Sequence, residues 1–168
     1  HSFELEETLF AKGKAAALET VRGMIHEPGT VAYVRQQEPA GLGHAVWCAR
    51  HLIHDEPVAV LLADDLILGS SCLAEMVALY QGGNMVAVMD VPKSETGSYG
   101  IITPGADHGQ LIEVSGLVEK PDPANAPSNI GVVGRYIIES GVFAQLGTQD
   151  RGAGNEVQLT DALARQIG

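Results

Sequence analysis

Apolar positions follow two spacings along this chain. In the first 25 residues they recur as on a helix: Leu5, Leu9 and Ala16-Ala17 form a stripe behind Glu4, Glu6 and Glu7. Ser2 stands where a hydroxyl would cap that helix, with the acids beside the positive end of its dipole. Gly13 is placed to bend or break it, and Pro28-Gly29 is a turn. From there the apolar residues come as short runs between turn residues. Residues 31–34 read as a β-branched strand, 36–43 as a loop with Pro39, Gly41 and Gly43, and 44–52 as a helix. The run 58–62 after Pro57, and the run 85–89, suit strands buried on both faces. Between them 73–80 is helical and Gly82-Gly83 ends it. The second half is richer in strands, at 99–103, 111–118 and 130–138. A short helix at 140–146, a turn at 149–155 and an amphipathic helix at 156–167 follow. The β-α-β-α-β opening predicts an α/β fold: a mixed, mostly parallel sheet with right-handed crossovers, flanked by helices, the later strands extending or capping it.

The chain has 168 residues, the size of one domain or most of one. A chain this long buries about two-thirds of its extended surface, so no disulfide or metal staple is required. The formal net charge is −11, which argues against nucleic acid and anionic membranes as partners. Any phosphate ligand must then be held by a few local cations or by Mg2+. Cys48 and Cys72 lie in no close motif and read as free thiols of a reducing cytosol. No apolar run has the length of a membrane span, and no signal peptide opens the chain. It begins at His1 with a helical pattern already under way, so the expectation is an internal stretch of a longer protein, an incomplete single domain over 1–168.

Chemistry-bearing residues gather at predicted strand ends. Gln36 precedes Gly41-Leu42-Gly43-His44; a carboxamide can donate to one atom and accept from its neighbour, matching a pyrimidine edge, and glycines admit a flat ligand. A lone G-x-G is more simply a strand-to-helix loop. Asp64 and Asp65 end an apolar run, where paired hard oxygens suit Mg2+ shared with phosphates, or one of them caps a turn. Glu119 and Lys120 precede Pro121, which should hold Lys120 extended and end regular pairing. On a regular strand they point to opposite faces, so both serve one ligand only if the pleat fails there; otherwise they are a solvated pair. His44, Cys48 and His51 share one helical face, a packed face or a partial zinc site lacking a fourth ligand. The glycines of Gly152-Ala153-Gly154 could let a helix start approach an anion, which Glu156 would oppose.

The ordered set Ser2-Phe3-Glu4-Leu5-Glu6, Arg35-Gln36, Gly41-Leu42-Gly43-His44-Ala45, Leu62-Ala63-Asp64-Asp65, Tyr99-Gly100, Val118-Glu119-Lys120-Pro121, Pro127-Ser128-Asn129, Val133-Gly134-Arg135-Tyr136 and residues 152–161 resembles the bacterial UTP–glucose-1-phosphate uridylyltransferases, within the sugar-1-phosphate nucleotidyltransferases. The resemblance implies a Rossmann-like nucleotidyltransferase domain with Mg2+ as cofactor. Gln36 and the Gly41 backbone match positions that read uracil, and Asp64 matches the carboxylate that holds Mg2+. Gly100, Glu119 and, less closely, Val132 match the sugar pocket, and Lys120 the lysine on the sugar phosphate. The implied reaction joins UTP and glucose 1-phosphate into UDP-glucose with release of pyrophosphate. Implied too are a cytoplasmic location and a homodimer or homotetramer. The family's glycine-rich triphosphate loop, with its arginine and lysine, has no counterpart here, nor has its second metal-binding aspartate. This stretch alone is therefore expected to turn over little.

Three other readings stay in view. The same fold serves thymidylyl transfer, although Gly41-Leu42-Gly43-His44-Ala45 and the long segment 2–25 favour the uridylyl type. The run 58–65 resembles the acid pocket of a phosphoryl-receiver domain, but no second apolar strand ends in a lone aspartate at the required distance. A non-catalytic nucleotide-sugar binder would need only the base and sugar positions.

Overall fold

A computed structural model describes residues 3–148 and 150–167. Ser2, the expected helix cap, and Gln149, the start of the expected turn, lie outside the described residues. The chain forms two compact units, residues 1–35 and 36–168.

The first unit holds helices α1 (Phe3–Ala11) and α2 (Ala15–Gly23). Gly13 at φ +64 turns the chain between them, the break its position suggested. Arg22 Nε donates to Glu6 Oε2 at 3.1 Å across the pair. The buried residue is Leu18, while Ala16 and Ala17 are exposed. Residues 31–34 are not a strand: β-branched residues make one only where a neighbouring strand pairs their backbone, and no described residue does so.

The second unit contains α3 (Leu42–Cys48), β1 (Val58–Leu61), α4 (Cys72–Leu79), β2 (Met85–Asp90), β3 (Gly100–Asp107), β4 (Ile112–Glu119), β5 (Ile130–Ile138), α5 (Gly141–Thr148) and α6 (Leu159–Ala164). The five strands make one sheet. Tyr136 pairs with Val60 of β1 and with Val86 of β2, so these strands lie on opposite edges of β5. Gly131 pairs with Ile101 of β3 and with Met89 of β2, which puts β3 on the same edge as β1. β4 then pairs outside β3. The helices flank this sheet, as predicted.

Every described pairing is antiparallel. The mostly parallel pairing predicted from the β-α-β order is therefore corrected. β1 and β2 do run the same way, but β5, from far along the chain, lies between them. β1 is also not buried on both faces: Val58 and Val60 turn to the core, while Ala59 and Leu61 are exposed.

The core lies where α3, α5 and α6 meet the sheet. Ile102, Ile138 and Val142 are fully buried there, with Leu159 and Ala162 of α6 beside them. Each buried Ile, Val or Leu side chain contributes about 1.5–3 kcal/mol by leaving water. The last helix is shorter than the 156–167 predicted, because Val157 is committed elsewhere. Its N–H donates to Ala40 O at 2.8 Å, and its carbonyl accepts from Gly43 N–H at 2.8 Å. The helix begins only after Gln158, whose backbone is extended at φ −87, ψ 132.

Candidate functional site

The loop before α3 is shaped by its own packing. Gly41 has φ +96, which an L side chain rarely adopts. A Cβ on Gly41 would lie 2.6 Å from Glu156 Cβ, and one on Gly43 would lie 2.7 Å from Val157 O. These glycines thus admit the segment 156–158 rather than serving only as a floor for a flat ligand. Gln36 Nε2 donates to Gly41 O at 3.0 Å and lies 2.9 Å from His44 Nδ1. The expectation that its amide would both donate and accept toward a ligand is therefore corrected: its donors are spent within the loop.

α3 ends at Cys48, and His51 falls in the following 3-10 turn, Arg50–Leu52. Only His44 and Cys48 meet, with Nε2 3.9 Å from Sγ. Among the described residues no group of three or more His, Cys, Asp or Glu could hold a metal, so a zinc site has no support.

The acids after β1 divide their work. Asp65 Oδ2 accepts from Gly134 N–H at 2.8 Å. Arg135 of β5 grips the same turn, donating through Nη1 to Leu62 O at 3.0 Å and through Nη2 to Asp65 O at 2.5 Å. A Cβ on Gly134 would sit 2.4 Å from Asp65 Oδ2, so only glycine lets β5 come this close. Asp65 is thereby the structural acid. Asp64 is exposed and its side chain makes no hydrogen bond among the described residues. One exposed carboxylate at a strand tip is a fitting donor for Mg2+ shared with ligand phosphates, since that ion keeps most of its sphere for water and phosphate oxygens.

At the end of β4 the pleat does fail. Lys120 has φ +45, in the left-handed region rather than the extended backbone expected before Pro121. The clash with proline disfavours the right-handed helical region for the preceding residue and leaves this alternative open. Such a backbone costs of order 1–3 kcal/mol and persists only where its surroundings impose it; here Lys120 N–H donates to Tyr99 O at 3.0 Å. The result brings Lys120 Nζ within 3.6 Å of Glu119 Oε1. The lysine side chain is about half exposed, whereas that of Glu119 is largely covered.

Glu119 pairs with Gly100, and Ile101 pairs with Gly131. Continuing the second register by one residue sets Gly100 beside Val132, so three candidate sugar positions form one row across β4, β3 and β5. The side chain of Val132 belongs to the core, which leaves only its backbone for a ligand. A Cβ on Gly100 would meet Thr160 Oγ1 at 3.3 Å and Glu119 Oε2 at 3.4 Å. Buried Thr160, two residues from the segment that clasps the α3 loop, thus closes one side of the row. Tyr136 stands between the two acidic corners. Burial pushes its phenol up to about 12, with the charges of Glu119 and then Asp65 adding to the effect.

The row and the Asp64 turn therefore share β5: the row crosses it at Val132, two residues before Gly134, or about 7 Å along a strand. The α3 loop is tied to the row through residues 157–160. Two hollows, about 700 Å³ between α1 and α2 and about 710 Å³ beside β2, β4, α4 and α6, contain none of these residues. Sequence reasoning assigned no role to Gly134, Arg135 or Thr160; their contacts reach across the chain, although all three stood in the matching text.

The family profile described as "Nucleotidyl transferase" matches residues 2–167. The chain is 48% identical over 170 residues to a UTP–glucose-1-phosphate uridylyltransferase of Komagataeibacter xylinus, covering 99% of this chain and 60% of that protein. It is 44% identical over 168 residues to one of Bacillus subtilis, covering 98% of this chain and 57% of the relative. Among solved structures, UDP-glucose pyrophosphorylase complexed with UDP-glucose superposes with a TM-score of 0.85 at 38% identity, over 93% of this chain and 61% of that one. UTP-bound UGPase from Acinetobacter baumannii gives 0.78 at 35%, over 98% and 59%. The chain thus spans less than two-thirds of these relatives. With its whole described length matched by the family profile, and a sheet whose strand tips carry the matching motifs, the chain belongs to the nucleotidyl transferase family.

Proposed function

We propose that this chain supplies the base, sugar and first-metal positions for transfer of a uridylyl group from UTP to glucose 1-phosphate, giving UDP-glucose and pyrophosphate. The observation that carries the reading is the row Glu119–Gly100–Val132 with Lys120 folded back beside it, tied by residues 157–160 to the loop of Gln36 and Gly41. In this reading Glu119 accepts hydrogen bonds from sugar hydroxyls, and Gly100 leaves space for the ring beside Thr160. Lys120 sets its ammonium against the sugar phosphate, Gln36 and Gly41 face the uracil, and Asp64 holds Mg2+. The names of the relatives and their bound UDP-glucose and UTP support the same substrates.

The chemistry needs no general base, because the attacking phosphate oxygen is already anionic. Displacement at the α-phosphorus is in line, and the protein contributes alignment and neutralisation. Lys120 does the second within a chain of net charge −11, where local cations count for more. Mg2+, held by Asp64 and phosphate oxygens, would supply Lewis-acid charge at the transferred group. No described helix is long and apolar enough to cross a membrane; a cytoplasmic homo-oligomer, dimer or tetramer, is the setting we propose.

Calorimetry with UDP-glucose on Gln36→Ala and Lys120→Ala tests the reading. Both variants should bind more weakly than the parent chain, and unchanged affinity in both removes these assignments. Pyrophosphate release by the longer parent protein, measured side by side with UTP and dTTP, separates the uridylyl from the thymidylyl alternative.

A further inference from the structure

Gln36 is held by two acceptors at once. The Gly41 carbonyl can only accept, so the Gln36 atom 3.0 Å away must be the amide nitrogen. The second hydrogen of that nitrogen is directed to His44 Nδ1, 2.9 Å away. Two donors meet two acceptors, and the orientation of the carboxamide follows. For Nδ1 to accept, neutral His44 must carry its proton on Nε2, which lies 3.9 Å from Cys48 Sγ, a weak acceptor. The imidazole is itself steadied by stacking on Trp47, with ring centroids 5.9 Å apart and planes at 23°. Arg50 covers Trp47 with its guanidinium carbon 3.5 Å from the ring centroid.

Oε1 is the one side-chain polar atom of Gln36 left for a ligand, and among the described residues nothing donates to it. A bare carbonyl oxygen holds a base that presents a ring N–H, as uracil does at N3. The same ring with an unprotonated N3, as in cytosine, would set lone pair against lone pair. Were one amide hydrogen released, the nitrogen could donate to such an N3 and the distinction would weaken.

We infer that His44 is a positioning residue for base selection: by occupying the second amide hydrogen of Gln36, it leaves Gln36 as a pure acceptor and favours bases with a ring N–H. This rests on the reading that Gln36 faces the base, and it adds a residue that need not touch the nucleotide.

The test uses the full chain. His44→Phe keeps a ring for the Trp47 stack and removes the acceptor; His44→Asn places an amide oxygen near the position of Nδ1. Calorimetry with UDP-glucose should show His44→Phe weakened by about three- to tenfold, the range of one net hydrogen bond. The ratio of UDP-glucose to CDP-glucose affinity should fall with it, and His44→Asn should restore both. Long-range proton–nitrogen NMR on the ligand-free chain should find His44 protonated at Nε2. If His44→Phe keeps the parent affinity ratio while Gln36→Ala loses UDP-glucose, the positioning role is overturned and the base reading stands. If Gln36→Ala also binds as the parent does, the base reading falls and this inference with it. A dominant Nδ1–H form of His44 overturns the inference whatever the affinities.

Discussion

Asp65 and Gly134, 69 residues apart in the chain, are joined by a 2.8 Å hydrogen bond from the Gly134 N–H to the Asp65 carboxylate. This bond fixes the turn that presents Asp64, and it forms only because Gly134 has no side chain. Gly134→Ala places a methyl 2.4 Å from Asp65 Oδ2 and 2.6 Å from Leu62 Cβ. Overpacking of this kind costs about 1–3 kcal/mol. A denaturant titration should show that loss, and if Asp64 holds Mg2+, nucleotide affinity should depend less on the metal in the variant.

Gly100→Ala should behave differently. Its nearest neighbours would be 3.3–3.4 Å from the new carbon, tight but open to adjustment by a few tenths of an ångström. The melting temperature should change little, while UDP-glucose affinity should drop because the methyl fills the space between Glu119 and Thr160. Loss of stability and affinity together would point to a packing role alone.

Gly43→Ala brings a carbon 2.7 Å from Val157 O and 2.8 Å from Leu146 Cδ2. It should cost about 1–3 kcal/mol and expose the Val157 N–H, now bonded to Ala40 O. Faster hydrogen exchange at Val157 than at Ile138 of the core would mark the loosened clasp.

Alkaline pH offers a separate check. The phenols of Tyr136 and Tyr80 are both pushed up to about 12, Tyr136 by burial and two carboxylates, Tyr80 by desolvation and its hydrogen bond to Glu139. Between pH 10 and 12 the folded chain then holds protons that the unfolded chain has released, so stability falls as pH rises through that window. Absorbance at phenolate wavelengths should show Tyr136 and Tyr80 titrating late. Tyr136→Phe should flatten the fall in stability; an unchanged slope would contradict the shift at that residue.

The core has its own prediction. Ile138 is fully buried, and Ile138→Ala should lower unfolding free energy by about 2–5 kcal/mol. Thermal or chemical unfolding measures this directly.

Much of the fold was legible because apolar runs between turn residues mark strands whatever their partners. The run at 130–138 matches β5 residue for residue, and 85–89 falls within β2. The run at 31–34 had the same composition and failed, since strand propensity is realised only through a neighbour. Pairing direction was hidden for a related reason: local order puts β1 beside β2, yet Tyr136 inserts its strand between Val60 and Val86. At the site, residue types were legible and their division of labour was not. Asp64 and Asp65 look equivalent until Gly134 is seen to claim one of them. Lys120 before Pro121 looked extended until its φ of +45 folded it back toward Glu119.

The clasp at Val157 has a mechanical corollary. One residue answers to Ala40 through its N–H and to Gly43 through its carbonyl, and three residues later the same stretch abuts the Glu119–Gly100–Val132 row. If the loop and the row hold base and sugar as proposed, a shift at one is transmitted to the other through residues 157–160, and occupancy of the two halves should be thermodynamically linked even where the ligands never touch.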